Sequence, residues 1–415
     1  MIWMRSRWLG AALVGLMIAA FAPAAQAASP REEWQRRLAH RADGVAIDGR
    51  GNVYVAASTE WTVDRPSIAL LAKYGPAGGL LWTRRWSPAN AWTSGEDVTV
   101  GPDGSVYLVG DVGVEGFEGG AWFLARYSPD GRLLWRRSTP GWRDLLATGA
   151  TSVAVGAGMV VIGGYGFGCC SEANDEGFVR AYSLEGDLRW HREVAAPGRL
   201  ASYHDGVGDV AVGGKGSVYL TGWVETRPRT DVGEPTDVEV LVQKLSADGH
   251  EIWTQVLWDH HRRDNDQGVS VAVRGNELVV LAFPTGGWIT NPHTRAGHAW
   301  LGRFTFDGRV RWSRTWGTHP RRAAQPESVT LGPDGTIYVV GAQRDPGDRE
   351  IEAFARAYSP SGSLRWSEVL GSVPRLWATD VDVQHSTLAA SVIRLDRGRF
   401  AEVMSGRVFR LSLPD

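Results

Sequence analysis

The feature that most constrains this chain is a repeat, seen most completely from Asp97 to Trp135. Val98-Thr-Val100 is a short alternating run, followed by Gly101-Pro-Asp-Gly104. Pro at the second turn position presets φ, Asp bonds back to its own backbone, and Gly accepts positive φ. Val106-Tyr-Leu-Val109 is rich in strand formers. After a longer polar segment come Trp122-Phe-Leu-Ala-Arg-Tyr127, a second tight turn at Ser128-Pro-Asp-Gly131, and Leu133-Leu-Trp135. Strand, tight turn, strand, long loop, strand, tight turn, strand reads as a four-stranded antiparallel meander.

The Trp that opens the fourth strand counts the copies. It recurs at Trp34, Trp82, Trp135, Trp190, Trp253, Trp312 and Trp366, with spacings of 48 to 63 residues. First strands also number seven, at 45–47, 98–100, 153–155, 210–212, 271–273, 329–331 and 381–383. A sheet apolar on both faces cannot bury itself. Copies stacked radially about an axis bury both faces of every sheet. The expected fold is therefore all-β, a seven-bladed β-propeller of four-stranded antiparallel blades. The two ends are out of phase: the chain starts with a lone fourth strand around Trp34 and finishes, at 407–413, with a third strand that no Trp follows. The N-terminal strand is thus expected to complete the last blade and close the ring.

Residues 1–27 have the layout of a signal peptide. Arg5 and Arg7 supply a positive start, Leu9 to Phe21 an apolar run, and Ala25-Gln26-Ala27 a small-x-small cleavage site. The apolar run is short for a membrane span, and no later segment is apolar enough to cross, so an exported chain is expected, periplasmic or extracellular. Losing Arg5 and Arg7 lowers the formal charge of −2 by two, and so balanced a chain implies no nucleic-acid partner. Residues 28–31 read as a short flexible lead. No linker or composition shift interrupts 32–415, which reads as one propeller domain and as a monomer.

The pairing of a DVTV–PDGSVYLV half with an AWFLARYSPDGRLLW half resembles the bacterial seven-bladed β-propeller (SBBP) repeat family, on residues such as Gly104, Tyr107, Gly110, Tyr127, Asp130 and Gly131. The resemblance spans the mature chain. It implies the propeller fold and an exported or surface location, and no particular activity. The second half is also similar, more weakly, to quinoprotein-like propeller repeats. Those carry Thr-Gly where this chain has Ser-Pro-Asp-Gly, and quinone-dependent dehydrogenases have eight blades where seven are expected here.

Alternate connections of a meander lie at opposite ends of the strands, so all the long loops fall on one face, the expected binding surface. That face is expected to present Trp61, Trp92, Trp142, Trp223, Trp258, Trp288, Trp316 and Trp377, which can stack on sugar rings or anchor a protein. Each could equally fold back to plug its own loop. His204, His260, His261, His293, His298 and His319 sit in the same class of loop, with Asp205, Asp259, Asp264 and Asp266 nearby. Imidazole among carboxylates suits a divalent metal or acid–base chemistry, although no spaced ligand motif accompanies them. No other cofactor is expected.

One residue precedes each first strand at the mouth of the central channel: Gly44, Asp97, Ser152, Asp209, Ser270, Ser328 and Asp380. Asp97, Asp209 and Asp380 could ring a cation, or simply bond backbone amides. Cys169 and Cys170 are the only cysteines and are adjacent. Export favours oxidation, and Gly168 would ease a strained vicinal disulfide. Free thiols or bridges to another chain are the alternatives, and the resemblance to quinone-dependent dehydrogenases brings in such a pair beside their cofactor. No GxSxG, HExxH or phosphate-cradling Gly loop is present. The reading is a non-enzymatic exported propeller that binds a protein or glycan through its long-loop face. The alternatives are an enzyme acting on an extracellular polysaccharide through the His/Asp loops and, third, a quinoprotein-like dehydrogenase.

Overall fold

The computed structural model describes residues 28–38, 40–59, 65–89, 91–114, 120–138, 146–168, 177–197, 205–226, 238–257, 266–284, 298–317, 323–344, 351–371, 376–394 and 405–414. Twenty-eight strands form seven four-stranded antiparallel sheets. Blade 1 holds β2 (Arg41–Ile47), β3 (Val53–Ser58), β4 (Ala69–Tyr74) and β5 (Leu80–Trp86). Blade 2 holds β6 (Ala91–Val100), β7 (Val106–Val114), β8 (Gly120–Tyr127) and β9 (Leu133–Ser138). Blade 3 holds β10 (Leu146–Gly156), β11 (Met159–Gly168), β12 (Gly177–Ser183) and β13 (Leu188–Val194). Blade 4 holds β14 (Gly206–Val212), β15 (Val218–Glu225), β16 (Val238–Leu245) and β17 (Glu251–Leu257). Blade 5 holds β18 (Gln267–Arg274), β19 (Glu277–Phe283), β20 (Ala299–Phe304) and β21 (Val310–Trp316). Blade 6 holds β22 (Ala324–Leu331), β23 (Ile337–Arg344), β24 (Ile351–Tyr358) and β25 (Leu364–Val369). Blade 7 takes β26 (Leu376–Gln384), β27 (Thr387–Arg394) and β28 (Ser405–Ser412) from the C-terminal end and β1 (Arg31–Leu38) from the N-terminal end.

β1 pairs antiparallel with β28, with Trp34 opposite Arg410 and Arg37 opposite Arg407. The out-of-phase ends of the repeat thus complete one blade between them. The inner strands are longer than the apolar runs at their cores suggested. β6, for example, starts at Ala91, not at the run beginning with Val98. A β-bulge explains the discrepancy, because it inserts an extra residue and masks the alternation. All seven blades carry it at the same place, as at Ala42/Gly44, Gly95/Asp97 and Ala378/Asp380. The residues Gly44, Asp97, Ser152, Asp209, Ser270, Ser328 and Asp380 therefore sit inside the first strands, directly after the bulge, and do not precede them.

Burial falls from the second strand outward. Every residue of β3 and β4 is buried, whereas β5 alternates between exposed and half-buried. The apolar clusters join neighbouring blades: Tyr107 and Val109 of blade 2 pack with Val153, Val160 and Ile162 of blade 3.

The repeat Trp is an inter-blade latch. Trp135 Nε1 donates to the Leu184 carbonyl, in the outer tight turn of the next blade, at 2.9 Å. Equivalent bonds run from Trp34 to Pro76, Trp82 to Pro129, Trp190 to Ala247, Trp253 to Phe306 and Trp312 to Pro360, at 2.8 to 3.3 Å. Two residues further on, an Arg completes the grip: Arg137 Nε donates to Gly186 O at 2.7 Å, Arg36, Arg84 and Arg314 do likewise in their blades, and Arg192 donates Nη1 to Gly249 O at 3.3 Å. Gly186 is required twice over. Its φ is 90°, and a Cβ there would lie 2.9 Å from Trp135 Cδ2. The seventh Trp, Trp366, is 3% exposed and packs on Tyr338 of its own blade. It faces blade 7, whose outer strands come from opposite ends of the chain with no turn between them.

Candidate functional site

The two ends of the ring differ. Every first-to-second and third-to-fourth connection is short, as at Gly101–Ser105, where Gly104 N bonds Gly101 O at 2.9 Å. Most second-to-third and blade-to-blade connections are longer, 227–237 and 285–297 being examples. All of these leave from the opposite end, where the channel through the ring opens.

A cavity of about 250 Å³ occupies this mouth, walled by Arg41, Asp43, Glu96, Asp97, Asp209, Glu327 and Asp380 among others. A second cavity of about 250 Å³ lies toward the tight-turn end and is walled by Val153, Val210, Val271, Val329, Leu331 and their neighbours. The same first strands build both. Their Val, Thr and Leu residues with Arg274 line one end, and the residues at the bulge line the other.

The post-bulge residues join the blades in a ring. Asp97 accepts from Val98 N at 2.7 Å and from Val153 N of the next blade at 2.8 Å. Asp209 accepts from Val210 N, Val271 N and the hydroxyls of Ser152 and Ser270. The Ser270 hydroxyl accepts from Val329 N at 3.1 Å, and the Ser328 hydroxyl donates to Asp380 at 2.6 Å. Asp380 accepts from Val45 N of blade 1 at 2.8 Å. Gly44 is the one member without a side chain, and a Cβ there would lie 2.9 Å from Asp97 Cα. Blades 1 and 2 approach too closely at that point for anything larger.

The bulge residues form a second tier. Arg41 pairs with Asp43 and lies 3.7 Å from Glu96. Glu327 accepts from Trp377 Nε1 at 2.7 Å and from Gln325 Nε2 at 2.8 Å. Burial pushes the Asp43 carboxyl up to about 7, against the pull of Arg41, and pushes Glu327 up to about 7. Burial also raises Asp380 to about 6, and it lifts Asp97 and Asp209, Asp97 being raised further by the charge of Asp380. The Asp43 carboxylate in turn holds Arg41 charged. The mouth is thus a cluster of carboxyls around one guanidinium, with Asp43 and Glu327 raised to about 7, able to accept hydrogen bonds from a cationic or hydroxyl-rich group.

Of the aromatic residues expected on this face, Trp92, Trp223, Trp316 and Trp377 lie in strands, at their long-loop ends. Trp92 and Trp223 lie against Gly113 and Gly206, where a Cβ would sit 2.0 and 2.3 Å from the indole. Trp316 packs on Phe354 and Tyr358 beneath Arg356, and Trp377 is 7% exposed. All four pack on the frame, with Trp92, Trp223 and Trp316 half-buried at the long-loop end. His298 is half-buried, and burial lowers its pKa. Asp205 is buried and accepts from Glu225 N at 2.7 Å. Trp61, Trp142, Trp258, Trp288, His204, His260, His261, His293, His319, Asp259, Asp264, Cys169 and Cys170 lie outside the described residues. Among the described residues no group of three or more His, Cys, Asp or Glu is placed to hold a metal ion, and no helix is long and apolar enough to cross a membrane.

Arg41, Asp43, Glu96 and Glu327 are the lining residues the repeat did not reveal. The available signal was an acidic residue immediately before the mouth position, as in Asp43-Gly44, Glu96-Asp97 and Glu327-Ser328.

No family model matches the chain, and no curated protein matches it. Solved structures do. A chain in the crystal structure of a mitotic checkpoint complex aligns with a TM-score of 0.55 at 11% identity, covering 99% of this chain and 100% of that one. The polysaccharide lyase Uly1 aligns at 0.54 and 10% identity, covering 90% of each chain. Raptor of Chaetomium thermophilum aligns at 0.54 and 8% identity, over 93% of this chain and 29% of its own. At such identities the likeness is one of fold, and the seven four-stranded blades make that fold an all-β seven-bladed propeller.

Proposed function

We propose that this protein is an exported, non-enzymatic recognition module that takes a protein or glycan of the cell envelope across its long-loop end, with the acidic channel mouth at the centre. The observation that carries the reading is the one-sidedness of the ring. The end of long, unequal connections is also the end whose cavity is ringed by carboxylates, while the cavity at the tight-turn end is lined by Val, Thr and Leu residues with Arg274 and has no acidic side chain in its wall. Rigid frames with variable loops at one end concentrate recognition there. The leader-like residues 1–27 and the resemblance to SBBP repeats support export.

The test compares the mature chain with two charge reversals on a glycan array and against native envelope extract. Glu96→Lys alters the mouth, and Lys215→Glu alters a turn at the far end. The reading expects retained ligands to bind Glu96→Lys at least about tenfold more weakly and Lys215→Glu as before. Loss confined to Lys215→Glu would move the site to the other face.

A second reading, an enzyme acting on extracellular polysaccharide, is favoured by Asp43 and Glu327 standing near neutrality, where carboxyls exchange protons readily. New reducing ends released from envelope polysaccharide, and lost with Glu327→Gln, would establish it over the binding reading.

A further inference from the structure

Each blade ends in a fourth strand whose outer backbone row has no strand beside it among the described residues. Such edges invite pairing, and proteins guard them with charge. Six of the seven edges carry arginine: Arg36 and Arg37 on β1, Arg84 and Arg85 on β5, Arg136 and Arg137 on β9, Arg189 and Arg192 on β13, Arg311 and Arg314 on β21, and Arg365 on β25. β17 reads Glu-Ile-Trp-Thr-Gln-Val-Leu, with no Arg or Lys.

The exception arises at two repeat positions together. Directly before the repeat Trp, β13, β21 and β25 have Arg189, Arg311 and Arg365, whereas β17 has Ile252, 51% exposed. Two residues after that Trp, five blades have the latch arginine and β17 has Gln255. Glu251 is the only charge left on the strand.

We infer that β17 is a pairing edge, and that its occupant is the β17 of a second copy of this chain. Its sequence is self-complementary in the antiparallel sense. About a two-fold axis at Thr254, Ile252 faces Val256, Trp253 faces Gln255, and Glu251 faces Leu257. Aliphatic meets aliphatic, the indole meets an amide, and the two carboxylates stand at opposite ends, about 20 Å apart at strand rise. The same operation on β5 or β9 would gather four guanidinium groups in one small sheet. The contact is isologous and closes at two. Two blades become one eight-stranded sheet, the rings stand side by side and inverted, and both long-loop ends stay open. The monomer expected from the sequence is then the dilute form.

The experiment is sedimentation velocity on the mature chain from low to high micromolar concentration, with three variants. Ile252→Arg gives β17 the residue of three other blades. Gln255→Arg gives it the latch arginine and serves if the first variant does not fold. Leu81→Arg places the same charge on β5. The expected result is a monomer–dimer equilibrium that Ile252→Arg or Gln255→Arg weakens about tenfold or more, with Leu81→Arg behaving as the parent. A monomer at every concentration would overturn the inference, as would a dimer indifferent to both β17 variants. A ring that stays monomeric while binding a synthetic peptide of residues 251–257 would also overturn it, replacing the second copy with an extended peptide.

Discussion

Asp380 Oδ2 accepts the amide hydrogen of Val45 at 2.8 Å, across 335 residues of sequence. Its other oxygen accepts from Val381 N and from the Ser328 hydroxyl. One buried carboxyl therefore ties blade 6 to blade 7 and blade 7 to blade 1, at the channel end of the same joint that β1 closes at the rim. Asp380→Ala should leave two strand amides unpaired, at about 1–3 kcal/mol each. The urea midpoint should fall clearly below that of the exposed control Ser367→Ala. Equal midpoints would deny the carboxyl ring a role in cohesion.

The rim closure makes a separate prediction. Deleting residues 28–38 removes β1 and exposes the full length of β28, whose Val408 and Phe409 are fully buried in the intact ring. The truncated chain should unfold at markedly lower temperature and in a broader transition, read by near-ultraviolet circular dichroism. Parental heat stability would refute the closure.

The Trp135–Gly186 latch is tested by Gly186→Ala. The substitution demands positive φ of an L-residue and drives a Cβ toward the indole, so a loss of about 2–4 kcal/mol is expected. Trp135→Phe keeps a ring and loses only the bond to Leu184 O, so it should cost about 1 kcal/mol from that bond and somewhat more from the smaller ring. A harmless Gly186→Ala in chemical denaturation would mean that the blades do not need this contact.

The raised carboxyls set the direction of the pH dependence. Asp43 and Glu327 stand at about 7 and Asp380 and Asp382 at about 6, all raised first by burial. Between their ordinary values near 4 and these, the folded protein holds protons that the unfolded chain releases. Stability should therefore fall as pH rises from about 4 to 7 and level off above. Turn carboxyls such as Asp48, which burial would raise but the bonds from Asn52 hold low, act in the opposite sense below about pH 4, and His40, His191 and His298, whose pKa burial lowers, oppose the trend up to about pH 6.5. Urea midpoints at about pH 5 and about pH 8 should differ in favour of the acid side, and Glu327→Gln should narrow the gap. A gap between the two midpoints that Glu327→Gln leaves unchanged would contradict the burial of Glu327.

The ring was legible because its signals are local and repeated. Tight turns such as Ser128-Pro-Asp-Gly131 and the seven repeat Trp stand at fixed offsets, and a radial stack is the arrangement that buries both faces of every sheet. The latch was half legible. Trp135 and Arg137 show as W-x-R, but their acceptors at Leu184 and Gly186 lie 49 residues away, and nothing local announces them. The mouth was less legible still. Asp97, Asp209 and Asp380 stood out by position, whereas Asp43, Glu96 and Glu327 depend on a bulge that leaves no mark in the alternation. Trp92 and Trp223 looked like loop aromatics because the strands that hold them run beyond their apolar cores.

The most direct test of the binding account is hydrogen exchange on residues 28–415, free and saturated with a glycan or envelope protein retained by the array or extract. The account predicts slowed exchange in the peptides of the long-loop end, 91–97 and 323–328 among them, with the turns at 101–105 and 332–336 unchanged. Protection centred on those turns, with the channel mouth exchanging as before, would contradict it.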